Sequence, residues 1–160
     1  MKAMKPNRIV AVIASVLLLA ACSDRPDRLF SDFFVCVQDE NGSERSRVLS
    51  TSGGLVVTYY FQLVSEVLDE TLTVDFDIIV GDGLTEGVDY VLQRDIRSID
   101  FEPGVFKKPF RINYLSHAVD PSKDNTITIR LKSTSSSSVR VGYPGPNAKF
   151  SQHVIEKYNL

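Results

Sequence analysis

Cysteine is scarce here: the 160 residues hold two, Cys22 and Cys36. One disulfide is the most they allow, and none if Cys22 is used otherwise. Long apolar runs are as scarce. Ile9 to Ala21 is the single example, so no later segment is expected to cross a membrane as a helix. Bases do not outnumber acids (18 Lys and Arg against 20 Asp and Glu), which argues against nucleic-acid binding. Histidine occurs twice, as His117 and His153, and no nucleophile-elbow or metal-ligand spacing accompanies either. No stretch shows sustained helical periodicity with caps.

The N-terminus has a definite pattern. Lys2, Lys5 and Arg8 precede the 13-residue apolar run Ile9–Ala21. At 1.5 Å per residue such a helix reaches roughly 20 Å, short of the ~30 Å hydrocarbon core. A cleavable export signal fits better than a membrane span. Leu19-Ala20-Ala21-Cys22 resembles the lipobox of bacterial lipoproteins. That resemblance implies removal of residues 1–21 and lipid on Cys22, each buried CH₂ adding about 0.8 kcal/mol of membrane affinity. Ser23 after the cysteine implies sorting to the outer membrane. The run Ser23-Asp24-Arg25-Pro26-Asp27 is similar to the acidic surface-export tether of Bacteroidetes lipoproteins, with Arg25 interrupting it.

The expected organisation is a signal peptide (1–21), a lipidated cysteine and polar tether (22–31) and one domain (32–160). The 139 residues left after cleavage carry 15 bases and 20 acids, a balance of −5. That length suffices for one domain with a real core.

Period-two alternation dominates the domain. Phe33 to Val37 is an apolar run. Leu55, Val57, Tyr59, Phe61 and Leu63 share one face, as do Leu72, Val74, Phe76, Ile78 and Val80. Ile99 and Phe101 form a short strand. Phe106, Phe110, Ile112 and Tyr114 line another face, and Ile127, Ile129 and Leu131 a further one. Val139 with Val141, and Val154 with Ile155, mark the last two strands. Turn signals separate them, among them Asn41-Gly42, Gly81-Asp82-Gly83 and Pro103-Gly104. Val64 to Asp69 is open between a loop and a turn of helix. About eight short strands, each with one apolar face, predict two antiparallel sheets packed as an immunoglobulin-like β-sandwich. The Cys…Trp…Cys signature of antibody domains is missing, and a closed barrel is the alternative.

Thr71 to Leu131 resembles a Calx-beta domain. The matching pieces are Val74-Asp75-Phe76, the turn Gly83 to Tyr90, Ile99-Asp100-Phe101-Glu102-Pro103-Gly104, and Thr126 to Leu131. More widely, residues 54–157 resemble small Calx-beta-like lipoproteins of Bacteroidetes, through Asp120 to Asn125 and Gly142-Tyr143-Pro144-Gly145-Pro146. The resemblance implies a non-catalytic module on the outer membrane that contacts protein or glycan, often beside nutrient-uptake systems. A structural subunit of an envelope lipoprotein complex is the second expectation.

Some Calx-beta domains hold calcium through clustered carboxylates. The candidates here are Asp82, Glu86, Asp89, Asp120 and Asp124. Lys123 removes negative charge where calcium needs it, so neither a metal nor any cofactor beyond the lipid is expected. Asp89 suits a turn cap, and Tyr90 a buried ring whose hydroxyl finds a carbonyl. Gly87 and Gly104 suit positive φ. His117, three residues before Asp120, offers a base-and-orienter pair for a hydrolase. No nucleophile or oxyanion donors accompany it, so an enzyme is not expected. Cys36 reads as a buried hydrophobe. Of Tyr59 and Tyr60, one faces the core and the other is partly exposed, where a ring could stack on a sugar.

Overall fold

The computed structural model describes residues 32–51 and 53–160. Asp32 to Leu160 form one compact unit. The signal peptide, Cys22, Ser23 and the tether lie outside the described residues.

Ten strands run through this unit: β1 (Phe33–Gln38), β2 (Arg45–Leu49), β3 (Leu55–Val64), β4 (Leu72–Val80), β5 (Tyr90–Leu92), β6 (Ser98–Phe101), β7 (Lys107–Tyr114), β8 (Thr126–Thr134), β9 (Val139–Val141) and β10 (Gln152–Tyr158). They make two five-stranded sheets, ordered β5-β7-β3-β1-β9 and β2-β10-β8-β4-β6. This is the expected sandwich, with two strands more than the alternation shows. β2 buries one residue in five, Val48, and β5 is three residues long. Neither leaves a period-two trace. Val64 to Asp69 ends β3 and continues as bends, so no helix forms there.

Six of the eight strand pairings are antiparallel. β1 with β9 and β2 with β10 are parallel, which corrects the all-antiparallel expectation. The reason lies in the connections. β1 and β9 are neighbours in one sheet, and the chain leaves each to cross to the other sheet. The two crossings deliver β2 and β10 side by side, running the same way. Backbone bonds tie the crossings together, from Val37 N–H to Phe150 O (2.9 Å) and from Val154 N–H to Glu44 O (2.9 Å).

The inner faces meet in one core. Val35, Val37, Tyr59, Phe61, Phe110, Ile112 and Tyr114 come from the first sheet. Leu72, Val74, Phe76, Phe101, Ile127, Ile129 and Ile155 come from the second. At its centre Phe61, Phe76 and Phe110 pack with ring centroids 4.8, 5.5 and 6.1 Å apart, mostly edge to face. A bulge between β4 and β8 adjusts the register: Asp75 faces Ser133, whereas Phe76 faces Leu131. Lys132 is the extra residue, exposed and paired with Asp77 at 3.5 Å.

The sandwich has two distinct ends. Phe34 pairs with Val64, while Leu55 pairs with Tyr114, which pairs with Tyr90. The domain therefore begins at one end of β3. The loops after β4 and β7 lie at the other end, roughly 30 Å away at 3.3 Å per residue.

Candidate functional site

The far end is built from residues 81–89, residues 115–125 and the tail of β10. Backbone bonds tie the first loop to the start of β8, from Gly81 N–H to Thr126 O (2.8 Å), and to the second loop, from Gly83 N–H to Asp124 O (2.9 Å). The approach demands glycine, since a Cβ at Gly81 would sit 2.2 Å from the Asp124 carbonyl oxygen. Asn159 closes the third side, accepting from Val119 N–H (3.0 Å) and donating to Val119 O (2.7 Å).

Under these loops Lys157 is buried, its side chain 1% exposed. β10 places it there: His153, Ile155 and Lys157 alternate onto the core face. Its Nζ donates to Asp89 Oδ1 (2.8 Å), Asp89 O (3.3 Å) and Leu115 O (3.0 Å), one oxygen for each ammonium hydrogen. Asp89 is equally committed. Its Oδ2 accepts from Thr85 N–H (2.9 Å), and its Oδ1 also accepts from His117 Nδ1 (2.9 Å). Burial alone would raise the Asp89 carboxyl, but the bonds from Lys157, Thr85 and His117 outweigh it and hold the group below its usual range. The carboxylate therefore stays charged opposite the ammonium.

The turn-cap reading of Asp89 holds, and Gly87 and Gly104 adopt φ of +83° and +81°. Tyr90 is buried as expected, but its hydroxyl makes no protein hydrogen bond among the described residues. The pairing of His117 with Asp120 is corrected. His117 turns to Asp89, because Leu115 N–H donates to Asp89 O (2.9 Å) and draws the start of its loop onto that residue. Asp120 instead caps its own turn, accepting from Ser122 N–H (2.9 Å) and Oγ (2.7 Å). Those bonds hold the Asp120 carboxyl below its usual range.

The other acids are similarly occupied. Asp124 Oδ1 accepts from Thr126 N–H (3.1 Å) and Oγ1 (2.7 Å), and Asp82 Oδ1 from Asp124 N–H (3.0 Å). Glu86 stands exposed, its backbone bridged to Tyr90. Calcium requires six to eight oxygens at about 2.4 Å. Among the described residues, no three His, Cys, Asp or Glu side chains converge to hold a metal. The five candidates do not converge: Asp120 and Asp124 cap their own turns, Asp82 reaches across to the Asp124 N–H, Glu86 points to solvent, and the buried Asp89 faces an internal cation.

A second polar group lies between the sheets. His153 is fully buried. Its Nδ1 donates to Ser43 O (2.9 Å), so Nε2 is left to accept from Ser46 Oγ (2.9 Å). Its ring packs 5.0 Å from that of Tyr59, whose hydroxyl meets the Tyr114 hydroxyl at 3.0 Å. Burial pushes the His153 pKa down from 6.5 and both tyrosines up from 10.0. Because the fold holds this imidazole neutral, its contribution is complete above pH 6.5 and is lost as pH falls below that value. The urea midpoint is expected to drop between pH 7.5 and pH 5.5, and His153→Gln to flatten that drop. An unchanged wild-type midpoint would contradict the assignment.

Cys36 is buried and its thiol is pushed up to about 11 by that burial, as a packing cysteine requires. Tyr59 is the core tyrosine and Tyr60 the half-buried one. Lys107 Nζ lies 3.8 Å over the Tyr60 ring and covers the face a sugar would need. Sequence reasoning missed Lys157 and His153. Their signal was the alternation through Ile155, disguised because two of three core-facing positions are polar.

No protein family matches the sequence, and no curated protein matches it. Solved structures do. The apo-form Calx CBD1 domain superposes with a TM-score of 0.50 at 20% identity, covering 79% of this chain and 98% of that one. CBD12 from CALX1.2 gives a TM-score of 0.53 at 17% identity, over 77% of this chain. The chain spans 44% of that second structure. At these identities the likeness establishes the fold. The described domain is a β-sandwich that resembles Calx-beta domains in fold.

Proposed function

We propose that this chain is an outer-membrane lipoprotein, held by lipid on Cys22, whose sandwich is a non-catalytic binding module for a protein or a glycan. The polarity of the fold carries the reading. The chain enters the domain at Asp32, beside Phe34 and Val64, and the loop end stands at the opposite extreme of β3. A chain attached there leaves the loop end at the extreme of the domain farthest from its attachment point. The loops present Asp82, Glu86, Val88, Asp120 and Lys123 to solvent over a base fixed by Lys157 and Asp89. A rigid base under short exposed loops suits recognition, because little order is lost on binding. His117 has an orienting carboxylate, but that carboxylate is already neutralised by Lys157, which favours a structural role over base catalysis.

A second reading, a structural subunit of an envelope complex, draws on the outer face of the first sheet. Val56 and Val91 lie exposed on either side of Asn113, whose Oδ1 is buried without a partner.

Photo-crosslinkers in the native envelope separate these readings. Crosslinks from positions 86 and 122, together with release of the Cys22→Ala chain from membranes, are the expected result. Membrane retention without Cys22, or crosslinks confined to position 66 at the opposite end, would overturn the proposal. Crosslinks confined to position 56 would favour the complex.

A further inference from the structure

The loop end is not the only concave surface. A cleft of about 580 Å³ opens along one side of the sandwich, where β6 and β7 face each other. That volume lies within the range of ordinary ligand sites.

Two strand edges border it. β6 is the last strand of its sheet and pairs only with β4. Arg97 O accepts from Phe76 N–H (2.9 Å), so Arg97 faces β4. Strand alternation then turns Ile99 and Phe101 the same way, and leaves the N–H and C=O groups of Ser98 and Asp100 facing outwards. Across the cleft, β5 stops at Leu92, so β7 lacks a second neighbour from Lys107 to Pro109. Pro109 has no N–H, which blunts that edge. The usable edge is therefore β6.

Side chains supply the remaining chemistry. Ile96, Ile99 and Phe110 line the apolar part. Arg94 and Arg111 stand exposed at its margin, and neither has a carboxylate partner among the described residues. The nearby acids are taken: Asp95 by Arg97 (2.6 Å), Asp100 by Thr73 Oγ1 (2.7 Å) and Glu102 by Lys108. Two uncommitted guanidinium groups beside an apolar floor call for a carboxylate next to an apolar side chain. In an extended chain, residues two apart point the same way.

We propose that this cleft takes an extended segment of a partner protein, which pairs with the β6 edge and places an apolar and an acidic side chain, two residues apart, on Ile99 and on Arg94 and Arg111. This is strand addition, in which main-chain bonds give affinity and alternate side chains give specificity. It rests on the binding-module reading and adds a second contact to the loop end.

The probe is a synthetic heptapeptide of alternating threonine and valine with one valine replaced by glutamate. Binding to the purified protein is followed through the backbone amide signals of Ser98, Ile99 and Asp100. The glutamate peptide should perturb those signals, and its lysine counterpart should bind at least tenfold more weakly. Arg94→Glu with Arg111→Glu should reverse that preference. Asp100→Pro, which removes an outward N–H, should abolish binding while leaving the unfolding midpoint within a few degrees. Equal binding of both peptides, no perturbation at millimolar peptide, or perturbation confined to the loop end would overturn the proposal. Failure here alongside crosslinks from positions 86 and 122 removes the cleft and leaves the module reading standing. Loss of both removes the module reading itself.

Discussion

Lys157→Ala is expected to destabilise the domain by about 3–5 kcal/mol, the usual effect of removing one partner from a buried ion pair. At about 2.1 cal/mol/K per residue over this domain, that lowers the thermal midpoint by roughly 10–20 °C. The loss comes from what stays behind more than from the bond removed. Asp89 would remain buried with only Thr85 and His117 as donors, and the Leu115 carbonyl would lose its partner. A double-mutant cycle isolates the pair. Lys157→Met combined with Asp89→Asn should cost clearly less than the two single changes together. Additive losses would mean that the two groups do not depend on each other. The pair also carries an acid dependence. Because the fold lowers the Asp89 pKa, its contribution is complete above the usual carboxylate value of 3.8 and is lost as pH falls through the folded value.

Phe76→Ala should be comparably damaging, at about 3–5 kcal/mol. Its ring touches those of Phe61 and Phe110 from the facing sheet, so truncation opens a cavity where the two sheets meet. The bulge beside it limits how far β4 can shift to fill the space. Phe76→Leu should lose much less, since it keeps most of the volume. Urea unfolding with an unchanged slope would attribute the effect to the folded state. A Phe76→Ala loss below about 1 kcal/mol would show that the sheets close over the gap, contrary to this packing.

These expectations differ in how visibly they are written in the sequence. Phe76 was legible at once, because a strand with one buried face repeats every second residue. The same rule reveals eight of the ten strands, and it fails where a strand buries too little to leave a pattern. β2 is Arg-Ser-Arg-Val-Leu at a sheet edge, and β5 is a three-residue edge. The parallel pairings were invisible for another reason. They follow from where the chain switches sheets, and no local pattern records that.

The loop end was half legible. Asp89 stood out as a turn-capping acid, and it does cap the turn at Thr85. Its decisive partner lies 68 residues further on, in a strand whose core face reads His-Ile-Lys. A lysine in that position looks solvent-facing until the topology places its end beneath the loops. Acids in two loops offered candidate calcium ligands, with Lys123 already counting against a metal. The fold answers with a lysine that already supplies the charge.

The expected consequence is a loop end whose shape does not depend on calcium. Loops organised by a metal change shape with its concentration, whereas loops organised by the chain's own ammonium present one surface throughout. Thermal unfolding of the purified protein, with and without millimolar calcium and after chelation, tests this most directly. The same midpoint is expected in all three conditions, with a large drop when Lys157 is replaced. A midpoint that rises by several degrees with calcium and falls on chelation would contradict it.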